Sequence, residues 1–415
     1  MKINKVVVVG AGPAGMMAAI RAAQLSQDVT LLEKNPDPGR KLLLSGKGRC
    51  NLTNACEPGM FLERFSRGGE FLRDAFQKFS NLDLINFFET RGAKLKIERQ
   101  SRVFPESDSS KSVLDVLLKE LRQGKVKLFF KASLREITLK DGKVNSLVLA
   151  DGKVVEADKV ILAMGGLSYT YTGSTGDGIK LAEKFGHRIV ALRPGLVPLQ
   201  VKQEDVARSL EGLTLKNIKL KFCAAKKKIT TEVGEMLFTH SGISGPLVIS
   251  HSGAVIDWMV SGQNAFVSVD LKPGLSEEEL NSRILRDFKA YPARGIKNVL
   301  KGLLPLRFAD VFVKVLKIDP EKKVSLITRP ERLSIARSLK DFRLDISGSL
   351  PVEHAMVTRG GVSLKDINPR TMESRLIKGL YFAGEMIDVD ADTGGFNLQA
   401  AFSTGYLAGE SAALN

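Results

Sequence analysis

The sequence predicts an α/β protein with a Rossmann-like dinucleotide-binding fold, and three stretches carry that prediction. One reads as strand, glycine turn, helix and strand up to Glu33, one as a β-meander over residues 125–164, and one as a strand that leads through glycines into a small-residue helix near the C-terminus. Residues 5–9 are an almost unbroken Val run, the pattern of a parallel strand buried on both faces. Gly10-Ala11-Gly12-Pro13-Ala14-Gly15 follows, then a helix over residues 16–25 and a second strand over 29–32. Each glycine has its own role at this spacing, since Gly10 makes the turn, Gly12 lets backbone N–H groups approach a pyrophosphate, and Gly15 lets the helix pack closely on the sheet. Glu33 stands where a carboxylate accepts hydrogen bonds from both ribose hydroxyls and repels a 2′-phosphate, which predicts FAD or NAD rather than NADP.

The meander has tight turns at Asp141-Gly142 and Asp151-Gly152 and closes in a strand over 159–164 that runs into Gly165-Gly166. Near the C-terminus, residues 379–383 form another buried strand ending in Gly384-Glu385. Asp388 and Gly394-Gly395-Phe396-Asn397 come next, before a helix over 398–414. A carboxylate at Glu385 suits a ribityl chain, and the following helix turns its positive N-terminus toward a flavin pyrimidine, so this end of the chain favours FAD over NAD.

The segment from Gly39 through Arg40, Lys41, Ser45, Gly46, Gly48, Arg49, Cys50, Asn51 and Thr53 to Asn54 resembles the signature of the BaiN-type, aminoacetone-oxidase-like family of bacterial flavoproteins. That family sits within the FAD superfamily that includes the fumarate reductase flavoproteins. Further matches are Gly165-Gly166-Leu167-Ser168-Tyr169, the glycine-rich stretch 172–178, the stretch 239–246 with His240, Thr358-Arg359-Gly360-Gly361-Val362, and Gly384 to Asp390 with Gly394 to Asn397. The resemblance implies an FAD-binding domain made of residues 1–190 and 346–415, with an inserted domain over 191–345. Within the insert, 191–272 and 325–345 are expected to be β-rich and 275–325 helical.

It also implies that Ala14, Lys34, Lys41, Ser45, Cys50, Gly165, Gly361, Gly384, Asp388, Gly395, Asn397 and Leu398 line the FAD, beside Gly10, Gly12, Gly15, Glu33 and Glu385. Gly46 and Gly48 remove side chains where backbone passes a flat ring, while Arg49, Asn51 and Thr53 supply donors for diphosphate and ring oxygens. Met164 stands where related flavoproteins often have Thr or Ser, a departure that bears on a hydroxyl contact there and not on the strand itself.

At 415 residues the chain calls for two or three domains, and its 43% hydrophobic and 26% charged composition excludes disordered, fibrous and membrane-bundle classes. The N-terminal residues 1–20 imitate a signal peptide, but Gly10, Gly12, Pro13 and Gly15 interrupt the apolar run, so a cytoplasmic protein is expected. Cys50, Cys56 and Cys223 lack C-x-x-C spacing and only four histidines are present, so neither a disulfide framework, a redox dithiol nor a metal site is expected. Net charge is +16, and residues 281–340 hold fifteen Lys or Arg against five Asp or Glu. That stretch is either the solvated side of amphipathic helices, the first opening with the capping box Ser276 to Glu279, or a docking surface for an anionic substrate.

The chemistry implied is FAD-dependent hydride transfer through flavin N5, either reducing a conjugated C=C bond of a small molecule or oxidising an amine. Reduction of a uridine in ribosomal RNA docked on the basic insert is an alternative, and a non-enzymatic, flavin-stabilised RNA-binding module is another. No second G-x-G-x-x-G occurs in the insert, so NAD(P)H is expected only as a transient reductant without its own Rossmann domain. His240, Cys50 and Arg359 are the candidate proton donors. Oligomeric state is not legible.

Overall fold

The Val run becomes β1 (Val6–Val9), every residue of it buried, and the glycine turn delivers the chain into α1 (Pro13–Leu25) with Pro13 at the first helical position. β2 (Val29–Leu32) pairs parallel with one edge of β1. A helix over Ser110–Gln123 then leads into β3 (Lys127–Phe129), parallel to β2. β4 (Lys159–Leu162) pairs parallel with the other edge of β1, and β5 (Leu380–Phe382) pairs parallel with β4. The sheet order is thus β5-β4-β1-β2-β3, and its strand order reverses at β1, where doubly wound sheets open a crevice at the carboxyl ends of their strands. Residues 4–26 and 28–414 are the ones described in this computed structural model; Met1 to Ile3 of the signal-like stretch lie outside them.

The chain divides into two units, Met1–Gly195 with Val352–Asn415, and Leu196–Pro351. In the first unit the meander is Leu134–Lys140, Lys143–Leu149 and Val154–Glu156, antiparallel as the two Asp-Gly turns require. It begins later than the sequence suggested, because residues 127–129 are drawn into the parallel sheet. α2 (Phe396–Leu414) covers β4 and packs lengthwise on α1. Backbones meet there: a Cβ added to Gly405 would lie 2.2 Å from Ala14 O, and one added to Gly409 2.2 Å from Ala18 O.

In the second unit the strand Thr214–Ala224 pairs with Gly234–Thr239 at one end and with Ala265–Asp270 at the other, which closes an antiparallel sheet on itself through Gly242–Ser244, Leu199–Val201 and Phe342–Ser349. Helices Glu277–Ala290, Ile296–Leu300, Leu306–Val315 and Arg329–Lys340 follow. The predicted capping box is present, Ser276 Oγ accepting from Glu279 N–H. Phe308 and Phe312 are fully buried against Phe342, so these aromatics form core.

Two segments differ from expectation. Residues 325–345, expected to be β-rich, are mostly the helix Arg329–Lys340 under its own capping box at Thr328 and Glu331, with strand only from Phe342. Inside the stretch read as alternating strands lies the helix Pro246–Val260, whose Val248, Ile249, Val255, Ile256 and Trp258 are buried. Its β-branched residues imitate a strand, and the true signal was Pro246 after Gly245.

His187 in the first unit is buried, its Nδ1 donating to Ala182 O at 3.0 Å and its Nε2 accepting from Ser374 Oγ at 2.7 Å. Burial holds its pKa below the ordinary imidazole value. The folded state therefore binds this proton less tightly than the unfolded chain, so its contribution to stability is full above about pH 6.5 and falls as the solution is acidified. Melting temperature should drop across that window, and His187→Gln should flatten this part of the profile.

Candidate functional site

The carboxyl ends of β1, β4 and β5 converge on the N-terminus of α1. Ala163 N–H donates to Val9 O at 2.9 Å and Ala383 N–H to Leu162 O at 3.0 Å, which sets the three strand ends side by side. Gly10 and Gly15 are demanded by the protein itself: a Cβ on Gly10 would fall 2.5 Å from Ala163 O, and one on Gly15 would fall 1.8 Å from Gly10 O. Gly12 is different. Its φ of −80° suits any residue, and a Cβ there would meet no protein atom within 4 Å. The open side of Gly12 is what a pyrophosphate passing the helix N-terminus requires.

Glu33 lies buried at the end of β2, its Oε2 accepting from Ala11 N–H at 2.8 Å and its Oε1 from Asn35 N–H and Asn35 Nδ2 at 2.8 Å each. A carboxylate so oriented keeps lone pairs for hydroxyl donors. Glu33→Ala should weaken flavin binding by roughly tenfold to a hundredfold, about 1.5–3 kcal/mol for hydrogen bonds to a charged group. Fluorescence titration of apo-protein with FAD checks it.

Around β5, Glu385 gathers a network that the sequence did not reveal. Its Oε2 accepts from Lys41 Nζ at 2.5 Å, and its Oε1 from Ser168 Oγ at 2.7 Å and Thr358 N–H at 2.7 Å. Lys41 Nζ also donates to Ser168 Oγ at 2.6 Å. Expected on a ribityl chain, Glu385 thus ties together Lys41, Ser168 and Thr358, which belong to three separate sequence motifs. Ser168 and Thr358 were visible only as members of those motifs.

The other expected contacts separate into two groups. Gly46 and Gly48 lie in the turn Ser45–Gly48 with positive φ, Gly165, Gly361, Gly384 and Gly395 also have positive φ, and Ala14 opens α1. Asn51, with its amide turned to satisfy both neighbours, accepts from Gly395 N–H at 3.1 Å just ahead of α2 and donates to Thr53 O. Asn397 brackets Ala391, accepting its N–H at 3.0 Å and donating to its carbonyl at 2.9 Å, and Leu398 packs on the core.

Several expected donors are occupied by protein instead. Arg49 pairs with Glu98 and Asp108 at the surface and lies over the Phe104 ring at 4.2 Å, so it clamps its loop rather than offering itself to diphosphate. Thr53 Oγ1 donates to Gln399 Oε1 at 2.7 Å in a fully buried contact. Lys34 Nζ donates to Thr175 Oγ1 at 2.5 Å and to Asp177 Oδ2 at 2.9 Å, and Ser45 Oγ donates to Leu42 O at 2.7 Å.

Among the proton-donor candidates, Cys50 is fully buried beside Ser45 and burial pushes its thiol up to about 12, which makes it a packed thiol and a poor acid. His240 belongs to the second unit, where its exposed ring meets Glu211 Oε2 at 3.0 Å. Arg359 is buried, its Nε donating to Asp390 Oδ2 at 3.1 Å. The three free cysteines form no disulfide. No helix among the described residues is long and apolar enough to cross a membrane.

A parallel sheet with this first turn, an acid closing its second strand and a glycine-acid pair closing β5 defines the Rossmann class of FAD-dependent oxidoreductases. The chain belongs to the HI0933-like family, whose Rossmann-domain pattern matches residues 4–411. It is 32% identical over 413 residues to the 3-dehydro-bile acid delta(4,6)-reductase of Clostridium scindens, covering 99% of each chain. It is also 32% identical over 408 residues to the ribosomal RNA dihydrouridine synthase of Escherichia coli, covering 96% of each. Among solved structures, the 3-ketosteroid-delta4-(5alpha)-dehydrogenase of Rhodococcus jostii shares the fold with a TM-score of 0.55 at 17% identity, over 99% of this chain and 97% of that one.

Proposed function

We propose that this enzyme reduces a carbon–carbon double bond conjugated to a carbonyl, and that its acceptor is the uracil ring of a structured RNA. The first half rests on what the two curated relatives share: a 3-dehydro-bile acid delta(4,6)-reductase and a dihydrouridine synthase both saturate an alkene polarised by a neighbouring carbonyl. Bound FAD supplies the hydride at N5. The chain's own part is to hold the dinucleotide by the turn at Gly12 and by Glu33, to set the positive end of α2 behind Asn51 and Gly395, and to fix the strand ends through the Lys41–Glu385–Ser168–Thr358 network.

The observation that carries the choice of RNA is charge without internal partners. Within residues 281–340, Arg286, Lys289, Lys301, Lys317, Lys323 and Arg329 are exposed and make no ion pair among the described residues, whereas Lys297, Lys314, Lys322, Arg337 and Lys340 are paired with carboxylates. Solvated helix faces need charge but not one sign of it; a phosphate backbone does. We take the reductant to be a nicotinamide nucleotide that visits without a Rossmann unit of its own. A small conjugated enone is the second reading, supported by the full-length likeness to the bile acid reductase.

The experiment is a comparison of dihydrouridine maps of ribosomal and transfer RNA from cells with and without this protein. Loss of one ribosomal site supports RNA as substrate; identical maps, with turnover of an enone by the purified enzyme, would replace it by the small molecule.

A further inference from the structure

We infer that the outer face of the antiparallel sheet in the second unit is a further contact surface for the RNA, where a row of lysines on the strands Thr214–Ala224 and Lys227–Thr230 meets the phosphate backbone. The inference deepens the RNA reading above and rests on it. Residues 216–230 hold six lysines and no acid, a run separate from the helical stretch 281–340. Lys216, Lys221, Lys226, Lys227 and Lys228 are exposed and Lys219 is half-buried, and none of the six makes an ion pair among the described residues.

Strand register decides which of them act together. Side chains alternate between the two faces of a strand, and Leu220, Phe222 and Ala224 are fully buried, so Lys219, Lys221 and Cys223 point outward. Lys221 stands between Thr230 and Ser268, Cys223 between Lys228 and Phe266, and Lys219 opposite Asp270. Lys228 therefore shares the face of Lys219 and Lys221. Two residues of strand rise separate Lys219 from Lys221, about 7 Å, and Lys228 lies two further along on the neighbouring strand, so the three stems form a line. Lys226 and Lys227 close the hairpin at its end, where the chain turns through Ala225 at a φ of 48°. A line of charge fits a polyanionic chain, whereas a single phosphate group needs donors that converge.

The acids of this face do not cancel the row. Toward the strand Phe342–Ser349, Ser268 stands opposite Arg343 and Phe266 opposite Asp345. Asp345 is paired with Arg343 at 2.9 Å, whose guanidinium lies over the Phe266 ring at 3.8 Å, and Asp270 is paired with Lys340 at 2.7 Å. Glu232 and Glu235 are exposed but reach only the Lys216 and Lys219 end, since Thr231 N–H donates to Leu220 O at 2.9 Å and Gly234 pairs with Ile218. Protection of a sheet edge does not explain the row either. Lys227 and Lys228 sit on an edge strand, where lysine blocks stray pairing, but Lys221 sits on a strand paired on both sides.

Fluorescence anisotropy of the holoenzyme with a labelled RNA hairpin, titrated across salt concentrations, tests this. Replacing Lys219, Lys221 and Lys228 together by Gln should weaken binding roughly tenfold or more at physiological salt and lower the slope of log affinity against log salt by about 2–3, close to one released counterion per lysine. Replacing the same three by Arg should restore both, and flavin content and melting temperature should stay at wild-type values in either variant. A companion variant with Arg286, Lys289 and Lys301 changed to Gln reports on the helical stretch. An unchanged slope in the strand variant beside a reduced one in the helical variant would overturn this surface and leave the RNA reading intact. Loss of binding to phosphatidylglycerol vesicles, with RNA binding untouched, would overturn it in favour of a lipid surface. Wild-type holoenzyme that shows no salt-dependent RNA binding would remove the RNA reading and this surface with it. A reduced slope in the strand variant, with dihydrouridine maps identical in cells with and without the protein, would sink RNA as substrate and leave the lysine row standing as an RNA contact.

Discussion

Gly12→Val is expected to yield a folded protein that purifies almost without flavin. A Cβ at this position would meet no atom beyond its chain neighbours within 4 Å, and the backbone already has a conformation that valine accepts. Folding should change by no more than about 0.5 kcal/mol, as for a substitution that disturbs no core packing. The dinucleotide should meet three new carbon atoms where it needs bare backbone, and affinity for FAD should fall by roughly a hundredfold or more, about 3 kcal/mol. Gly15→Ala is the control with the opposite signature. Its methyl would stand 1.8 Å from Gly10 O, so the turn must open and stability should drop by about 1–3 kcal/mol or more. Denaturant melts of the apo-proteins beside FAD titrations separate the two; a Gly12→Val chain that binds FAD normally would remove the pyrophosphate from this turn.

The second large effect is expected from Gly405→Ala and Gly409→Ala in α2. Helix propensity alone would make either change stabilising by about 1 kcal/mol. Packing reverses the sign, because each new methyl lands 2.2 Å from a backbone carbonyl of α1, that of Ala14 or Ala18. A carbonyl cannot swing aside as a flexible side chain does, so the helices must separate, at a cost of roughly 2–3 kcal/mol each and more when combined. Calorimetric melting of the two single variants and the double variant would measure it. Ala14 belongs to the glycine turn and α2 begins behind Asn51, so the same separation should loosen flavin binding as well as lower the melting temperature.

What was legible in the sequence was what depends on near neighbours. The turn from Gly10 to Gly15, the acid at Glu33 and the Asp-Gly meander turns are local conformations, and the residue types that permit them are few. The partners of long polar side chains were not legible. Arg49 and Thr53 have the right donors for phosphate, yet Arg49 meets Glu98 and Asp108 and Thr53 meets Gln399, choices made by tertiary packing. Glu385 likewise joins Lys41, Ser168 and Thr358 from distant parts of the chain. The helix Pro246–Val260 was hidden for a different reason: apolar residues surround it, so no 3.6-residue period marks one face.

The close crossing of α1 and α2 also sets an order of events during synthesis. β1, α1 and β2 leave the ribosome first, but the strand β5 and the helix that lies on Ala14 and Ala18 are encoded by residues 380–382 and 396–414, with the whole second unit between them. Until residues 380–414 emerge, the small-residue face of α1 has no cover and the carboxyl end of β4 has no outer neighbour. Domains generally fold as their chains appear, and here the second unit can be complete while the first still waits for α2. A nascent chain stalled within the second unit should therefore be protease-sensitive in α1 and unable to retain FAD, and flavin capture would report that α2 has emerged.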